Sequence, residues 1–275
     1  MPQRHDIIYL DGVSKAFGRT RVLDDVTLGV REGETTVIIG PSGCGKSVTL
    51  KLMIALLRPD RGHVSFDGRE ITMLPEKQLV DVRRRMGFLF QGGALFDSMT
   101  VEENVCFPLA EHGMATAEQQ AERCRRVLAL VGLDGLQHRY PDELSGGQKK
   151  RIALARAIVL KPDVIFYDEP TTGLDPIRAD LINELILRLQ EVLGTTAVVV
   201  THDMASARKV GDRIIMLHAG KFILDTPPTD LDDVQDEVVE RFVQGRASQD
   251  ELDAIKAGSL GAQAPREYEP TEPNA

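Results

Sequence analysis

A glycine-rich segment, GPSGCGKS at 40–47, has the residue types needed to bind phosphate. It follows the apolar sequence TTVII and precedes a helical pattern, which is the context that the spacing G-x-x-x-x-G-K-[ST] requires. Backbone N–H groups at such a helix start can surround phosphate oxygens. Lys46 would neutralise the β- and γ-phosphate oxygens, and the Ser47 hydroxyl would bind Mg²⁺. We therefore predict an ATP-type nucleotide site formed by Gly40, Pro41, Ser42, Gly43, Cys44, Gly45, Lys46 and Ser47.

Two neighbouring carboxylates, Asp168 and Glu169, follow the apolar segment VIFY at 164–167. A buried strand would place them at its carboxyl end, beside the glycine loop. Asp168 could then hold a Mg²⁺-bound water. Glu169 could polarise the attacking water as a general base. The two motifs together predict hydrolysis of the bound nucleotide.

Three further polar features lie where predicted strands end or a predicted helix begins. Gln91 follows the segment MGFLF, and His202 lies just after AVVV, where it could contact a γ-phosphate. Taken singly, Gln91 can also be interpreted as an exposed amide and His202 as a structural histidine. The sequence LSGGQKKR at 144–151 is a second glycine-rich turn opening a helix, a geometry that favours an anion. It lacks the lysine and hydroxyl that an independent nucleotide site would need.

In their order along the chain, these motifs resemble the ATP-binding subunit of ABC transporters across about residues 7–226. Phe17, in SKAFG, matches the aromatic residue that stacks on adenine, whereas Val48 replaces a threonine found in many members. The resemblance implies a role for each matching residue. These are Gln91 as the Q-loop glutamine and a Mg²⁺ ligand, Leu144, Ser145, Gly146, Gly147 and Gln148 as the signature, Asp168 as the Walker B aspartate, Glu169 as the catalytic carboxylate, Asp175 as the D-loop aspartate, and His202 as the switch histidine.

The resemblance also assigns a phosphate to the second glycine-rich turn. In this family two subunits pair head to tail, and the signature of one faces the phosphate loop of the other. LSGGQKKR would therefore contact the γ-phosphate of ATP bound to a partner chain. A homodimer with ATP sandwiched between its two half-sites is the expected assembly.

Strand-like segments alternate with helical ones, which predicts an α/β fold with a mainly parallel sheet. The resemblance specifies a P-loop NTPase ABC cassette over 1–226, with an N-terminal antiparallel β part and an inserted helical subdomain over about 97–160. Apolar spacing predicts a helix over 50–57 after the phosphate loop. The sequence RIIMLHAGKFIL at 213–224 predicts a hairpin around Ala-Gly.

The C-terminal part differs in composition from the cassette. We expect a helical extension over 227–258, with Leu231, Val234, Val238 and Phe242 forming an apolar stripe that packs on its own chain or on a neighbouring ATPase subunit. A capping box at SQDE predicts a further short helix from Ser248. Residues 259–275 are rich in proline and polar residues, which predicts an acidic disordered tail.

Composition limits the class of protein and its location. Hydrophobic residues make up 42% of the 275 residues, and the net charge of −9 is concentrated in 227–275, which carry −8. The nearly neutral remainder gives no support for nucleic-acid binding, and we interpret the basic runs at 83–85 and 149–151 as solvated faces. Three scattered cysteines and no signal peptide predict a reduced, cytoplasmic setting. Cys44 lies at a helix start, where thiolate formation is favoured.

Two segments, FQGGALFDSMTVEENVCFPL and VERFVQG, resemble the ATPases of Mla-type lipid transporters, which work with MCE-domain proteins. Since no membrane span is evident, separate permease subunits would complete the transporter, docking near Gln91 and the helical subdomain. The expected location is peripheral, on the cytoplasmic face of the bacterial inner membrane. The alternatives are an importer ATPase for a small polar solute such as an amino acid, and a soluble ABC ATPase acting on ribosomes or DNA.

Overall fold

The computed structural model describes residues 5–247 and 252–253. The chain divides into two units, Met1–Leu231 and Asp232–Ala275, whereas the sequence places the end of the cassette at 226. None of the helices in the described ranges combines the length and apolar character needed to cross a lipid bilayer. The predicted cap at Ser248 and the predicted disordered segment 259–275 lie outside the described residues.

Two sheets form the framework of the first unit. A four-stranded antiparallel sheet has the order β2-β1-β4-β5, and a six-stranded sheet has the order β10-β9-β3-β8-β7-β6. In the larger sheet β9, β3, β8, β7 and β6 run parallel, and β10 pairs antiparallel with β9. The strands are β1 (Asp6–Phe17), β2 (Thr20–Arg31), β3 (Thr35–Ile39), β4 (Arg61–Phe66), β5 (Arg69–Glu70), β6 (Met86–Leu89), β7 (Val164–Asp168), β8 (Thr196–Val200), β9 (Arg213–His218) and β10 (Lys221–Thr226).

Helices cover the sheets and form the inserted subdomain. They are α1 (Lys46–Met53), α2 (Glu76–Arg83), α3 (Val101–Glu111), α4 (Ala117–Leu130), α5 (Gly146–Ile158), α6 (Pro176–Leu193), α7 (Met204–Val210) and α8 (Glu237–Gln244). In the subdomain, α3 packs against both α4 and α5. Thr100 and Thr116 begin α3 and α4 with capping boxes, which satisfy the free N–H groups of each first turn.

The three central strands of the larger sheet, β3, β7 and β8, are buried along their whole length. Parallel strands covered on both faces consist of nearly continuous apolar runs, as TTVII, VIFYD and TAVVV do. Because these strands are parallel, their carboxyl ends meet at one edge of the sheet, where open α/β sheets bind ligands. The phosphate loop, Asp168-Glu169 and His202 all follow these ends.

Helix α1 ends at Met53, so the predicted extension of the helix to Leu57 is wrong. Ala55 has a φ of 53°, in the left-handed region that cannot continue a helix. The guanidinium of Arg83, on α2, donates to the carbonyls of Ile54 at 3.2 Å and Ala55 at 2.7 Å. A side chain distant in the sequence therefore satisfies the carbonyls at which α1 stops.

The apolar stripe predicted after residue 227 does not lie on one helix. Residues Pro228–Asp233 form a 3₁₀ segment, and α8 begins only at Glu237. The Asp236 carboxylate accepts hydrogen bonds from the N–H groups of Val238 and Val239, and this cap sets the helix start. The buried side chain of α8 is Val239, not Val238.

Candidate functional site

The loop between β3 and α1 has a backbone that only glycine accommodates at two positions. Gly40 has a φ of 150°, and a Cβ there would lie 2.3 Å from the Leu217 carbonyl oxygen. Gly45 has a φ of 111°, and a Cβ there would lie 2.7 Å from a methyl group of Val22. The loop therefore lies directly on neighbouring backbone and side chains, and its N–H groups lead into α1, a geometry suited to phosphate oxygens.

Lys46 holds its positive charge inside this loop. Its side chain is buried, and Nζ donates to the carbonyl of Gly40 at 2.8 Å and to that of Pro41 at 3.0 Å. The same Nζ lies 3.8 Å from Glu169 Oε1. A buried ammonium group beside the N–H groups of a helix start attracts a multiply charged anion.

Ser47 and Asp168 meet across the edge of the sheet. The Ser47 hydroxyl donates to Asp168 Oδ1 at 2.9 Å. Burial raises the pKa of Asp168, and the hydrogen bond from Ser47 opposes that rise. The strand end and the helix start thus bring together a hydroxyl and a carboxylate that the sequence assigns to one nucleotide site.

Glu169 occupies the turn after β7 in an unusual backbone conformation. Its φ is 49°, in a left-handed region that costs a non-glycine residue of order 1 kcal/mol and is found mainly at functional sites. The Glu169 N–H donates to the Val200 carbonyl at 2.9 Å, which fixes the turn to the end of β8. His202 Nδ1 lies 2.9 Å from Glu169 Oε2, and the Thr172 hydroxyl donates to the same oxygen at 3.2 Å.

A cleft of about 380 Å³ is lined by nine of the predicted site residues. Phe17 is among its lining residues and is 47% exposed, as a residue that stacks on a base must be. The lining also includes an amide, a carboxylate and an imidazole, a set suited to holding and activating water near a phosphate. The lining residues are Phe17, Val22, Ser42, Gly43, Gly45, Lys46, Ser47, Val48, Gln91, Glu169 and His202.

The signature residues and Asp175 do not line this cleft. Ser145 is the exposed N-cap of α5, and it forms a reciprocal capping box with Gln148. Gly146 and Gly147 form the first turn, and no acidic residue lies there. Asp175 caps α6 without a reciprocal bond, accepting from the Arg178 N–H at 3.0 Å. Two exposed helix starts are therefore available to a ligand that this chain's own cleft does not hold.

The prediction that Cys44 favours its thiolate is wrong. Burial raises the pKa of the Cys44 thiol, and this effect outweighs the lowering by Lys46 and by the Lys46 backbone N–H. Position at a helix start favours the charged form only where solvation is retained. The fold instead turns this thiol toward the core.

The two basic runs are solvated faces only in part. Arg85 is exposed and pairs with Asp163, whereas Arg83 donates to the carbonyls at the end of α1, as described above. In the second run, Lys150 is buried, and Arg151 donates to the Val131 carbonyl at 3.2 Å. These cations satisfy backbone carbonyls and carboxylates of their own chain.

Two residues of the site escape prediction from the sequence. Thr172 donates to the Glu169 carboxylate, and Lys150 donates to the carbonyls of Pro170 and Thr172. The helical spacing could have indicated that the Lys150 side chain is buried, because it lies three residues after Gly147 and four before Leu154, and both of these are buried. Thr172 carries no such signal, because its contact arises from a turn.

Comparison with known proteins supplies independent findings. A family model described as ABC transporter matches residues 23–172. The probable ribonucleotide transport ATP-binding protein mkl of Mycobacterium tuberculosis is 42% identical over 239 residues, 87% of this chain and 67% of that protein. The intermembrane phospholipid transport system ATP-binding protein MlaF of Escherichia coli K12 is 39% identical over 242 residues, 88% of this chain and 90% of MlaF. A solved dimeric structure, the ATP-binding cassette MJ0796 bound to ADP and Pi, has a TM-score of 0.74 and 36% identity, covering 80% of this chain and 98% of that one.

Proposed function

The chain belongs to the ABC transporter family of ATP-binding proteins, and from that membership we propose that it powers the movement of phospholipids between membranes. It is the ATP-hydrolysing subunit of a transporter. The observation that supports phospholipid as the cargo is the similarity to MlaF, which extends over nearly the whole of both proteins. We therefore propose phospholipid as the cargo of a transporter that this chain powers by hydrolysing ATP.

The cleft suggests how its residues divide the work of hydrolysis. The loop N–H groups and Lys46 hold the phosphates, and Phe17 stacks on the base. Glu169 accepts a proton from the attacking water, while His202 steadies the carboxylate through Nδ1, leaving Nε2 for a γ-phosphate oxygen. Gln91, which also lines the cleft, orients the water.

The residues beside the loop fit Mg²⁺, a hard cation that prefers oxygen ligands. The Ser47 hydroxyl and Asp168 carboxylate oxygens lie 2.9 Å apart. A hydroxyl and a carboxylate this close could serve the same cation, the carboxylate through a bound water. Ser47 and Asp168 would hold the ion together with the Gln91 amide, and Mg²⁺ would neutralise charge on the β- and γ-phosphates.

We infer that the active assembly is a homodimer in which each signature serves the nucleotide of the other chain. Ser145 and Gly146 are exposed at a helix start but do not line the cleft of their own chain. The helix start, without acidic residues, is suited to a phosphate. The similar solved cassette that is dimeric supports this arrangement, as does the exposed D-loop residue Asp175.

A groove of about 470 Å³ beside β6, α3 and α5 is the proposed docking site for a permease helix. Its surface includes the exposed rings of Phe90 and Phe96, with Phe107 packed against Phe96 at a centroid distance of 4.8 Å. The Arg156 guanidinium lies over the Phe96 ring. Phe90 directly precedes Gln91, so a helix seated in this groove would contact the segment that enters the nucleotide cleft.

The assembly that we propose lies at the cytoplasmic face of the bacterial inner membrane. The chain would be peripheral there, bound through permease subunits, with an MCE-domain protein receiving or supplying the lipid. This arrangement follows from the proposed phospholipid cargo.

Reconstitution tests the proposal. The chain is purified with its permease and MCE partner, placed in liposomes, and assayed for MgATP-dependent transfer of a fluorescent phospholipid to acceptor vesicles. Transfer that stops with Glu169→Gln supports the proposal. ATP hydrolysis without any lipid transfer, in a complex that retains all its subunits, would contradict it.

A second candidate cargo is a small polar solute, because mkl is described as a probable ribonucleotide transport protein. The similarity to mkl covers a smaller share of the relative than that to MlaF. Uptake of labelled ribonucleotides or amino acids into the same liposomes would distinguish the two cargoes.

A further inference from the structure

Lys150 is a buried cation on the helix that begins with the signature. It lies on α5, five residues after the Ser145 cap, and is 8% exposed. Its Nζ donates to the Pro170 carbonyl at 2.8 Å and to the Thr172 carbonyl at 2.6 Å. Burial lowers the pKa of Lys150, and the Glu169 charge opposes this. A buried ammonium persists only where such acceptors are held in place.

Both carbonyls belong to the turn that follows Glu169. Within this turn, the Thr172 N–H donates to the Glu169 carbonyl at 3.3 Å. The Thr172 hydroxyl donates to Glu169 Oε2 at 3.2 Å. Lys150 is thus linked to the carboxylate through a single residue: it binds the carbonyl of Thr172, whose hydroxyl binds Oε2.

The turn requires external support because its first residue is strained. Glu169 has a left-handed φ, which persists only where surrounding contacts determine it. The Glu169 N–H is fixed by Val200 on one side, and Lys150 fixes the Pro170 and Thr172 carbonyls on the other. Lysine suits this task, since its ammonium has three donors and can bind two diverging carbonyls at once.

We propose that Lys150 is a positioning residue for ATP hydrolysis, which holds the Glu169 turn in register with the signature helix. The proposal rests on the role assigned above to Glu169 as the base. Lys150 does not line the nucleotide cleft, and its hydrogen bonds go to the turn after Glu169. Its effect is on the place of the carboxylate, and a displacement of about 1 Å there can reduce turnover by 10²-fold.

The test compares Lys150→Met with Lys77→Met. Methionine retains the apolar stem and removes the donors, while Lys77 is an exposed lysine of helix α2, outside the nucleotide cleft and the signature. We expect the kcat of Lys150→Met to fall about 10- to 100-fold with KM for ATP changed less than about threefold. Lys77→Met should keep wild-type kcat. Unfolding midpoints and ATP affinity are measured for both.

Combination with Glu169→Gln separates positioning from a general structural defect. If Lys150 acts through the carboxylate, Lys150→Met slows the Glu169→Gln enzyme less than about threefold, because the group that it positions is already gone. The same large factor in both backgrounds would overturn the proposal. Lys150→Gln, whose amide can still donate, should recover part of the lost kcat, and Thr172→Val should resemble Lys150→Met.

These last two variants carry the test if Lys150→Met does not fold. Wild-type kcat in both Lys150→Gln and Thr172→Val would then overturn the inference. Normal turnover by Glu169→Gln would overturn the assignment of Glu169 and this inference together. A slow Glu169→Gln enzyme beside a normal, folded Lys150→Met enzyme would overturn this inference alone.

Discussion

Replacing Glu169 by glutamine removes the proposed base while leaving the shape of the site. The amide keeps one oxygen to accept the hydrogen bond that Thr172 donates at 3.2 Å. It loses the negative charge that lies 2.9 Å from His202 Nδ1 and 3.8 Å from Lys46 Nζ. The backbone conformation is unaffected by the change, because both residues have an unbranched Cβ.

The expected loss in kcat is about 10²- to 10⁴-fold, the range for a positioned acid–base group. This corresponds to about 2.7–5.5 kcal/mol of transition-state free energy. ATP affinity should not weaken, since Lys46 no longer has a carboxylate 3.8 Å away that competes with phosphate for its charge. The variant should therefore accumulate as an ATP-bound dimer.

Steady-state phosphate release measures kcat, with Lys46→Ala enzyme prepared in parallel as the background. A fluorescent ATP analogue measures affinity, and size-exclusion chromatography with MgATP measures dimer formation. The matched control is Glu191→Gln, which removes an exposed carboxylate from α6 and should leave all three values unchanged. Turnover by Glu169→Gln within about threefold of wild type would refute its assignment as base.

Three further predictions concern other parts of the chain. Ser145→Arg should abolish hydrolysis without weakening ATP binding to the monomer. Mixing it with Lys46→Ala chains should restore partial activity, because one of the two sites then has both an intact phosphate loop and an intact signature. Complete inactivity of verified mixed dimers would contradict independent sites. Because burial raises the pKa of Cys44, its alkylation by maleimide at pH 7 should be slower than that of a free thiol, should accelerate as pH rises, and should vanish in Cys44→Ala. A fast reaction at neutral pH would contradict the raised pKa. Arg213 hydrogen-bonds Asp225 and lowers the pKa of that carboxyl below its ordinary value of 3.8. The pair therefore stabilises the fold fully at pH values above 3.8, and this contribution is lost as the pH falls through the lowered pKa. Asp225→Asn should reduce the free energy of unfolding by at most about 1 kcal/mol at pH 7 and by nothing in strong acid; an equal loss at both pH values would contradict an ionic origin.

Short-range physics allows much of the site to be predicted from the sequence. A glycine loop between an apolar strand and a helix can adopt few backbone conformations, and those expose N–H groups to phosphate. Apolar runs such as VIFY determine a buried strand, and the next residues, Asp168 and Glu169, must then lie at its carboxyl end. The hairpin around Ala219 and Gly220 was predicted for the same local reason and is confirmed by β9 and β10.

Features that depend on which segments pack together could not be predicted from the local sequence. Arg83 satisfies the carbonyls at which α1 stops, although it lies in α2. Burial reverses the expected effect of a helix start on Cys44. Neither contact has a pattern within its own segment, because burial and hydrogen bonding between distant residues exist only once the chain has folded.

Lys150 illustrates this division most clearly. The sequence places it in a basic run beside the signature, where a solvated lysine is the ordinary expectation. The tertiary structure packs α5 against the turn after β7, and two backbone carbonyls of that turn meet the ammonium group. The sequence determined the chemical groups of the nucleotide site and their order along the chain. Only the fold decided that a lysine of the signature helix would hold the catalytic turn, since the carbonyls that it binds lie twenty and more residues away, on a different element.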